Sequence, residues 1–182
     1  MKNLQLFLFL SGLLLSCSAI RISGVETADN INLHGYKTYD FYEVTAKGDT
    51  IPAIFNERLA LIRIAIATEM NSKGFTRSTS GPDLLINIGV QVKKETATRE
   101  TNFGQDGPFY IGQRNYAWKS KSVETGTYRN GYVTVHLVDA RQVKLVWQGT
   151  VEAMIPGNDK QLENDIRKGM AKLFADLPLR PQ

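Results

Sequence analysis

The sequence predicts an α+β domain, a two-layer sandwich in which a mainly antiparallel sheet of four to five strands carries two helices on one face, in the order β-α-β-β-β-β-α. Three observations lead there. An apolar stripe with helical spacing occupies residues 54–73, a block of alternating segments fills residues 84–154, and a second helical stripe follows residue 158. Strands grouped together between helices, rather than alternating with them one by one, mark this class. The composition agrees: 182 residues, 42% hydrophobic and 22% charged, supply one core and too little charge for intrinsic disorder.

The first strand is read over residues 36–44, with Tyr39 and Phe41 on one face and Thr38, Asp40 and Tyr42 on the other. Phe55, Leu59, Ile62, Ile66 and Met70 then recur at steps of three and four, which aligns them along one side of a helix, and Gly74 supplies a left-handed stop. Gly81-Pro82-Asp83 turns the chain into a second strand, where Leu84, Ile86, Ile88, Val90 and Val92 alternate with Leu85, Asn87, Gly89 and Gln91. A weaker strand is read over residues 114–125. Another over residues 132–139 points Val133, Val135 and Leu137 inward, and the last, residues 143–154, places Leu145, Trp147, Gly149, Val151 and Ala153 on one face. Residues 139–142 form the hairpin loop between these two. Asn158 begins the final helix as its N-cap, and Leu162, Ile166, Met170, Leu173, Phe174 and Leu177 follow at helical spacing until Pro178 ends it.

Ahead of this domain, Lys2 precedes an apolar run from Leu4 to Leu15 that is too short for a spanning helix and suits a secretory signal. The run ends at Leu14-Leu15-Ser16-Cys17, which resembles the bacterial lipobox, where the cysteine is acylated and the chain is cut just before it. The organisation expected is therefore a signal peptide over residues 1–16, a lipidated tether over residues 17–33, and one α+β domain over residues 34–180. Cys17 is the sole cysteine, so it makes no internal disulfide. Acylation at Cys17 would consume a thiol that a secreted protein otherwise leaves reactive, and buried acyl chains would hold the chain on a membrane. The alternative is a free thiol beside an ordinary cleavage site. By resemblance to lipoprotein sorting, Ser18 after the cysteine points to the outer membrane, and the lack of a following acidic cluster points to the periplasmic side.

Charge and motifs narrow the function further. The formal net charge is +4, and residues 91–130 hold seven basic against four acidic residues. This local excess suits anionic headgroups or an acidic partner, or is simply the solvated side of a strand pair. There is no Gly-x-Ser-x-Gly elbow, no glycine-rich phosphate loop, and only His34 and His136 as imidazoles, neither with a second ligand at metal-binding spacing. Asp83 and Asp139 flank turns, where short carboxylates cap backbone amides. The expectation is a protein that is not an enzyme and needs no cofactor, metal or nucleic acid.

The order and spacing of Tyr36-Lys37-Thr38-Tyr39-Asp40-Phe41, Lys73-Gly74-Phe75, Pro82-Asp83-Leu84-Leu85-Ile86, Val133 to Asp139 and Leu145-Val146-Trp147-Gln148-Gly149 resemble the lipoprotein family called domain of unknown function 4136. The resemblance implies a bacterial envelope lipoprotein with an α+β fold and no established catalysis or cofactor. Residues 101–118 match nothing in that pattern. They join glycines and a proline to Phe103, Phe109, Tyr110, Arg114, Tyr116 and Trp118, a set suited to a protein partner or to the membrane interface. Alternatively, Tyr116 and Trp118 pack on the sheet. Two functions follow: a lipid-anchored, non-catalytic interaction or accessory module facing the periplasm, or a binding protein for a hydrophobic small molecule or lipid held between sheet and helices.

Overall fold

The computed structural model describes residues 20–29, 31–49, 52–107, 119–175 and 177–178. Six strands, β1 (Arg21–Thr27), β2 (Thr38–Gly48), β3 (Thr76–Arg77), β4 (Leu84–Glu100), β5 (Ser122–Asp139) and β6 (Lys144–Met154), form one sheet in the order β1-β6-β5-β4-β2-β3. Two long helices, α1 (Pro52–Ser72) and α3 (Asp159–Ala175), pack on it, and α2 (Phe103–Asp106) is a single turn. The α+β layering holds, while the sheet departs from expectation in three ways. It is mixed, because β2 runs parallel to both β3 and β4. The chain passes from β2 through α1 before returning, and such a crossover sets strands parallel. The strands read at residues 114–125 and 132–139 join, from Ser122 onward, in one strand of 18 residues that pairs with β4 along its length.

The third departure concerns residues 17–33, expected as a tether. Residues 21–27 are sheet: β1 pairs antiparallel with β6 from Arg21↔Glu152 to Thr27↔Trp147. Ile20 is buried, and the Lys172 ammonium donates to its carbonyl at 3.0 Å. The domain therefore starts by residue 20 rather than 34. An edge strand covered by helix on one side offers a short and mostly polar sequence, which is why RISGVET gave no period.

The helical stripe behaves as its spacing requires. Leu59, Ile62, Ile66 and Met70 are buried against Leu84, Ile86, Ile88, Val135 and Leu137 of the sheet in one core. Gly74 at φ +88° closes α1: the Phe75 amide donates to Met70 O at 3.1 Å and the Gly74 amide to Asn71 O at 3.0 Å, satisfying carbonyls that have no partner in the helix. Asn158 caps α3, its side-chain oxygen accepting from the Gln161 amide at 3.2 Å. The face expected for β6 is right from Trp147 to Ala153 and wrong at Leu145. A register shift between Leu137 and Val138 inserts Val146 into the ladder, so Val146 is fully buried and Leu145 is exposed. Two glycines bring α3 down onto β6: a Cβ at Gly149 would lie 2.6 Å from Leu173 Cδ1, and one at Gly169 would lie 2.8 Å from a methyl of Val151.

Gly48, Val92, Gly131 and Ala153 form a row across the sheet, where β2 and β6 end, yet β4 continues to Glu100 and β5 begins at Ser122. The eight residues 93–100 pair with residues 122–130 as a free two-stranded arm, about 27 Å long at ~3.4 Å per residue. Because Arg21 pairs with Glu152, the chain enters the sheet at the arm end.

Candidate functional site

At the end opposite the arm, the two aspartates singled out in the sequence form a staple. Asp83 Oδ2 accepts from the backbone amides of Lys37 and Thr38 at 2.9 and 3.1 Å and from the Thr38 hydroxyl at 3.1 Å, with Arg141 Nη2 3.4 Å from Oδ1. Asp139 Oδ1 accepts from the amides of Arg141 and Gln142, both at 2.8 Å, and its Oδ2 accepts from the Tyr36 hydroxyl at 2.8 Å. Hydrogen bonds to the ionised form hold both carboxyls below their ordinary range, led by Lys37 N–H for Asp83 and Gln142 N–H for Asp139. Burial, the hydrogen bond to Asp139 and the two negative charges push the Tyr36 phenol up to about 12. Each oxygen faces a partner within the fold, so these aspartates tie β2, β4 and the β5–β6 turn together.

The arm carries a second cluster at its base. Glu95 accepts from the hydroxyls of Tyr128 and Tyr132 at 2.8 and 3.4 Å and from the Asn130 amide at 3.1 Å, and the Lys93 ammonium lies 4.9 Å from the Tyr132 ring centre. The Tyr128 hydroxyl, followed by Asn130 and Tyr132, lowers the Glu95 carboxyl, and the same bond raises the Tyr128 phenol. This set stiffens a ribbon that has no core beneath it. At the tip, Arg99 donates to both oxygens of Asp106, Nη1 lying 2.7 Å from Oδ2, which also accepts from Asn102 N–H at 3.0 Å. The arginine contact leads in holding Asp106 down at about 2. Thr101 and Lys121 close the neck through Thr101 N–H to Lys121 O and Lys121 N–H to Thr101 Oγ1, both at 2.8 Å.

The residues expected to make contacts divide between described and undescribed parts. Phe103 sits in α2 at the arm tip, 51% exposed. Phe109, Tyr110, Arg114, Tyr116 and Trp118, together with Cys17, lie outside the described residues. The structure thus places the Thr101 end of the aromatic segment at the end of the arm rather than beside the sheet. His136 is half-buried on the sheet face turned away from the helices, between Asn87 and Gln148 in the pairing.

Sequence reasoning missed the other feature of the arm end. An apolar cavity of about 110 Å³ lies between the first turns of α1 and α3 and the row where β2 and β6 stop, lined by Phe55, Leu59, Val92, Val133, Ala153 and Ile166 among others. A shallow polar hollow formed by Lys94, Thr127, Arg129 and Asp49 adjoins it, the two sharing Asp49, Arg129 and Ile155. Only the register shows this: Lys94 and Arg129 are 35 residues apart and become direct cross-strand partners. Among the described residues no group of three or more His, Cys, Asp or Glu side chains is placed to hold a metal ion, and no helix is long and apolar enough to cross a membrane.

A lone α+β sheet with two covering helices and a projecting hairpin is the class that the geometry defines. The sequence matches the family described as Domain of unknown function (DUF4136) over residues 25–179, and the chain belongs to that family. No curated protein matches the sequence. Among solved structures, a PDZ domain protein from Parabacteroides distasonis is similar with a TM-score of 0.54 at 14% identity, over 90% of this chain. This chain spans only 37% of that longer one. A DUF4136 family protein from Bacteroides thetaiotaomicron is similar with a TM-score of 0.53 at 12% identity, covering 87% of this chain and 96% of that one. At such identities the likeness is one of fold.

Proposed function

We propose that this DUF4136 chain is a lipid-anchored lipoprotein of the bacterial envelope, held by acyl chains on Cys17 to the outer membrane on its periplasmic side, and that it serves as a non-catalytic accessory module that meets a protein partner through its arm. The observation that carries the reading is the arm itself. A two-stranded ribbon with no hydrophobic core is marginal in water, so residues 93–100 and 122–130 gain stability when another surface covers them. The ribbon is polar on both faces and ends in the exposed Phe103 with the aromatic segment next in the chain. Aromatic residues are enriched at protein interfaces, whose rims are polar.

The second reading, a carrier of a whole hydrophobic molecule, finds less support. The interior offers about 110 Å³, against the roughly 300 Å³ at which pockets for drug-sized ligands begin. The test is photo-crosslinking in the native envelope, with the reactive side chain placed in turn at Phe103 and Lys121. A discrete protein adduct from both positions is expected. Adducts with lipid alone, or none, from both would sink the partner reading.

A further inference from the structure

We propose that the cavity and the hollow beside it form one binding site for an anionic amphiphile, the phosphate-bearing headgroup and first methylenes of a membrane lipid. Three independent features meet there. Lys94 and Arg129 stand directly opposite each other across β4 and β5, a pairing of like charges that destabilises a sheet unless something negative lies over it. The ion pairs among the described residues are Arg77–Asp40, Arg99–Asp106 and Arg141–Asp83, so neither Lys94 nor Arg129 forms an ion pair with a described carboxylate. Arg58 of α1 faces the same mouth, giving three cations against the carboxylates of Asp49 and Asp165. An anion therefore meets net positive charge there even with both carboxylates ionised.

The second feature is the cavity behind the cations. At ~30 Å³ for a water-sized group, 110 Å³ corresponds to about four methylenes. The site is thus sized for a headgroup with a short length of chain, the rest of the lipid staying outside. The third is location. Arg21 pairs with Glu152, next to Ala153 in the row that runs through Gly131 to Val92, so β1 starts at the mouth's end of the sheet, and Cys17 precedes it by four residues in the sequence. A lipid attached at Cys17 would bring the mouth to the headgroups of the bilayer. The source of the ligand rests on the proposed acylation of Cys17, whereas the site's chemistry does not.

The experiment uses the full chain with ¹³C-methyl methionine, held in nanodiscs of uncharged galactolipid, which carries no phosphate, and titrated with alkyl phosphates of two to eight carbons and with inorganic phosphate. Met154 and Met170 line the cavity, and Met70 is buried away from it, so the methyl groups of the first two should shift and that of Met70 should not. Affinity should rise about fourfold per added methylene until about four are present and then level off. Lys94→Gln together with Arg129→Gln should weaken binding by about tenfold while leaving the unliganded methyl signal of the buried Met70 unchanged. Unmoved methyls, an undiminished gain from four to eight carbons, equal shifts with inorganic phosphate, or an unaffected double variant would each overturn the site. The mass of the N-terminal peptide, measured separately on protein from the envelope, reports acylation; an unmodified Cys17 removes the anchor and leaves the titration result standing.

Discussion

Replacing Gly149 by alanine tests whether α3 is seated on β6 by close approach. The new methyl would lie 2.6 Å from Leu173 Cδ1 and 3.4 Å from two ring carbons of Trp147, where unstrained carbon contacts need ~3.5–4.0 Å. Leu173, Trp147 and Phe174 are all fully buried, so the leucine has no open space into which to turn. Overpacking of this kind costs about 1–3 kcal/mol. Removing a glycine from a strand interior returns about 0.5–1 kcal/mol. The clash wins, and the net loss should be about 1.5 kcal/mol, a fall in Tm of about 3–6 °C for a chain of this size. Urea unfolding followed by tryptophan fluorescence measures it, with an unchanged m value expected. Leu173→Ala alone should cost about 2–5 kcal/mol, and the double variant should cost at least 0.5 kcal/mol less than the two losses added, because the alanine methyl enters the space the leucine vacates. A Gly149→Ala protein as stable as the parent, or strict additivity in the double variant, would refute the tight seat.

Three further outcomes follow from the staple and the arm. Asp83→Ala strips the acceptor from two backbone amides at the start of β2 and should cost about 1–3 kcal/mol in urea unfolding, with Asp83→Asn costing less; equal losses would contradict the acceptor role. The Tyr36 phenol, raised to about 12 from an unfolded value near 10, favours the fold at neutral pH and loses that contribution as the pH climbs through this interval. Tyr36→Phe should therefore flatten the alkaline limb of the stability curve, and an unaltered limb would point elsewhere. Asp106, held at about 2 against an ordinary value near 3.9, favours the closed arm tip above pH 4 and releases it as the pH falls toward 2. Protection of the Asn102 and Gly107 amides relative to their intrinsic exchange rates should fall across that range in the parent and be low throughout in Asp106→Asn, and a carboxyl titrating near 4 in the parent would exclude the pairing.

The two helices and the strands under them were legible because each buries one face, and burial of one face imprints a period on the sequence. Phe55 to Met70 and Leu84 to Val92 show this directly. Where burial is partial, the imprint fades. β1 is an edge strand whose described residues are mostly exposed, so it looked like a tether. The arm strands are polar on both sides, so the union of residues 122–130 with the strand at 132–139 carried no signal. Parallel pairing of β2 with β4 is set by the crossover through α1, which periodicity does not encode, and the displaced Leu145 follows from a single inserted residue in the ladder. The aspartate staple was foreseen as turn capping from Asp83 and Asp139. The cationic pair was not, since Lys94 and Arg129 become neighbours only through the register of the long hairpin.

The pairing of β1 with β6 also fixes an order of assembly. Arg21 waits for Glu152, and Ile20 waits for Lys172, so the first part of the domain to be synthesised is among the last to find its place. The hairpin of β5 and β6 joins neighbours in the chain and closes early at small entropic cost, whereas β1 must close a loop of more than a hundred residues. Until the C-terminal helix has been made, the N-terminal segment stays accessible to whatever enzymes act on it. Once α3 docks, the same segment is clamped, and any modification made there becomes a permanent part of the folded body's orientation.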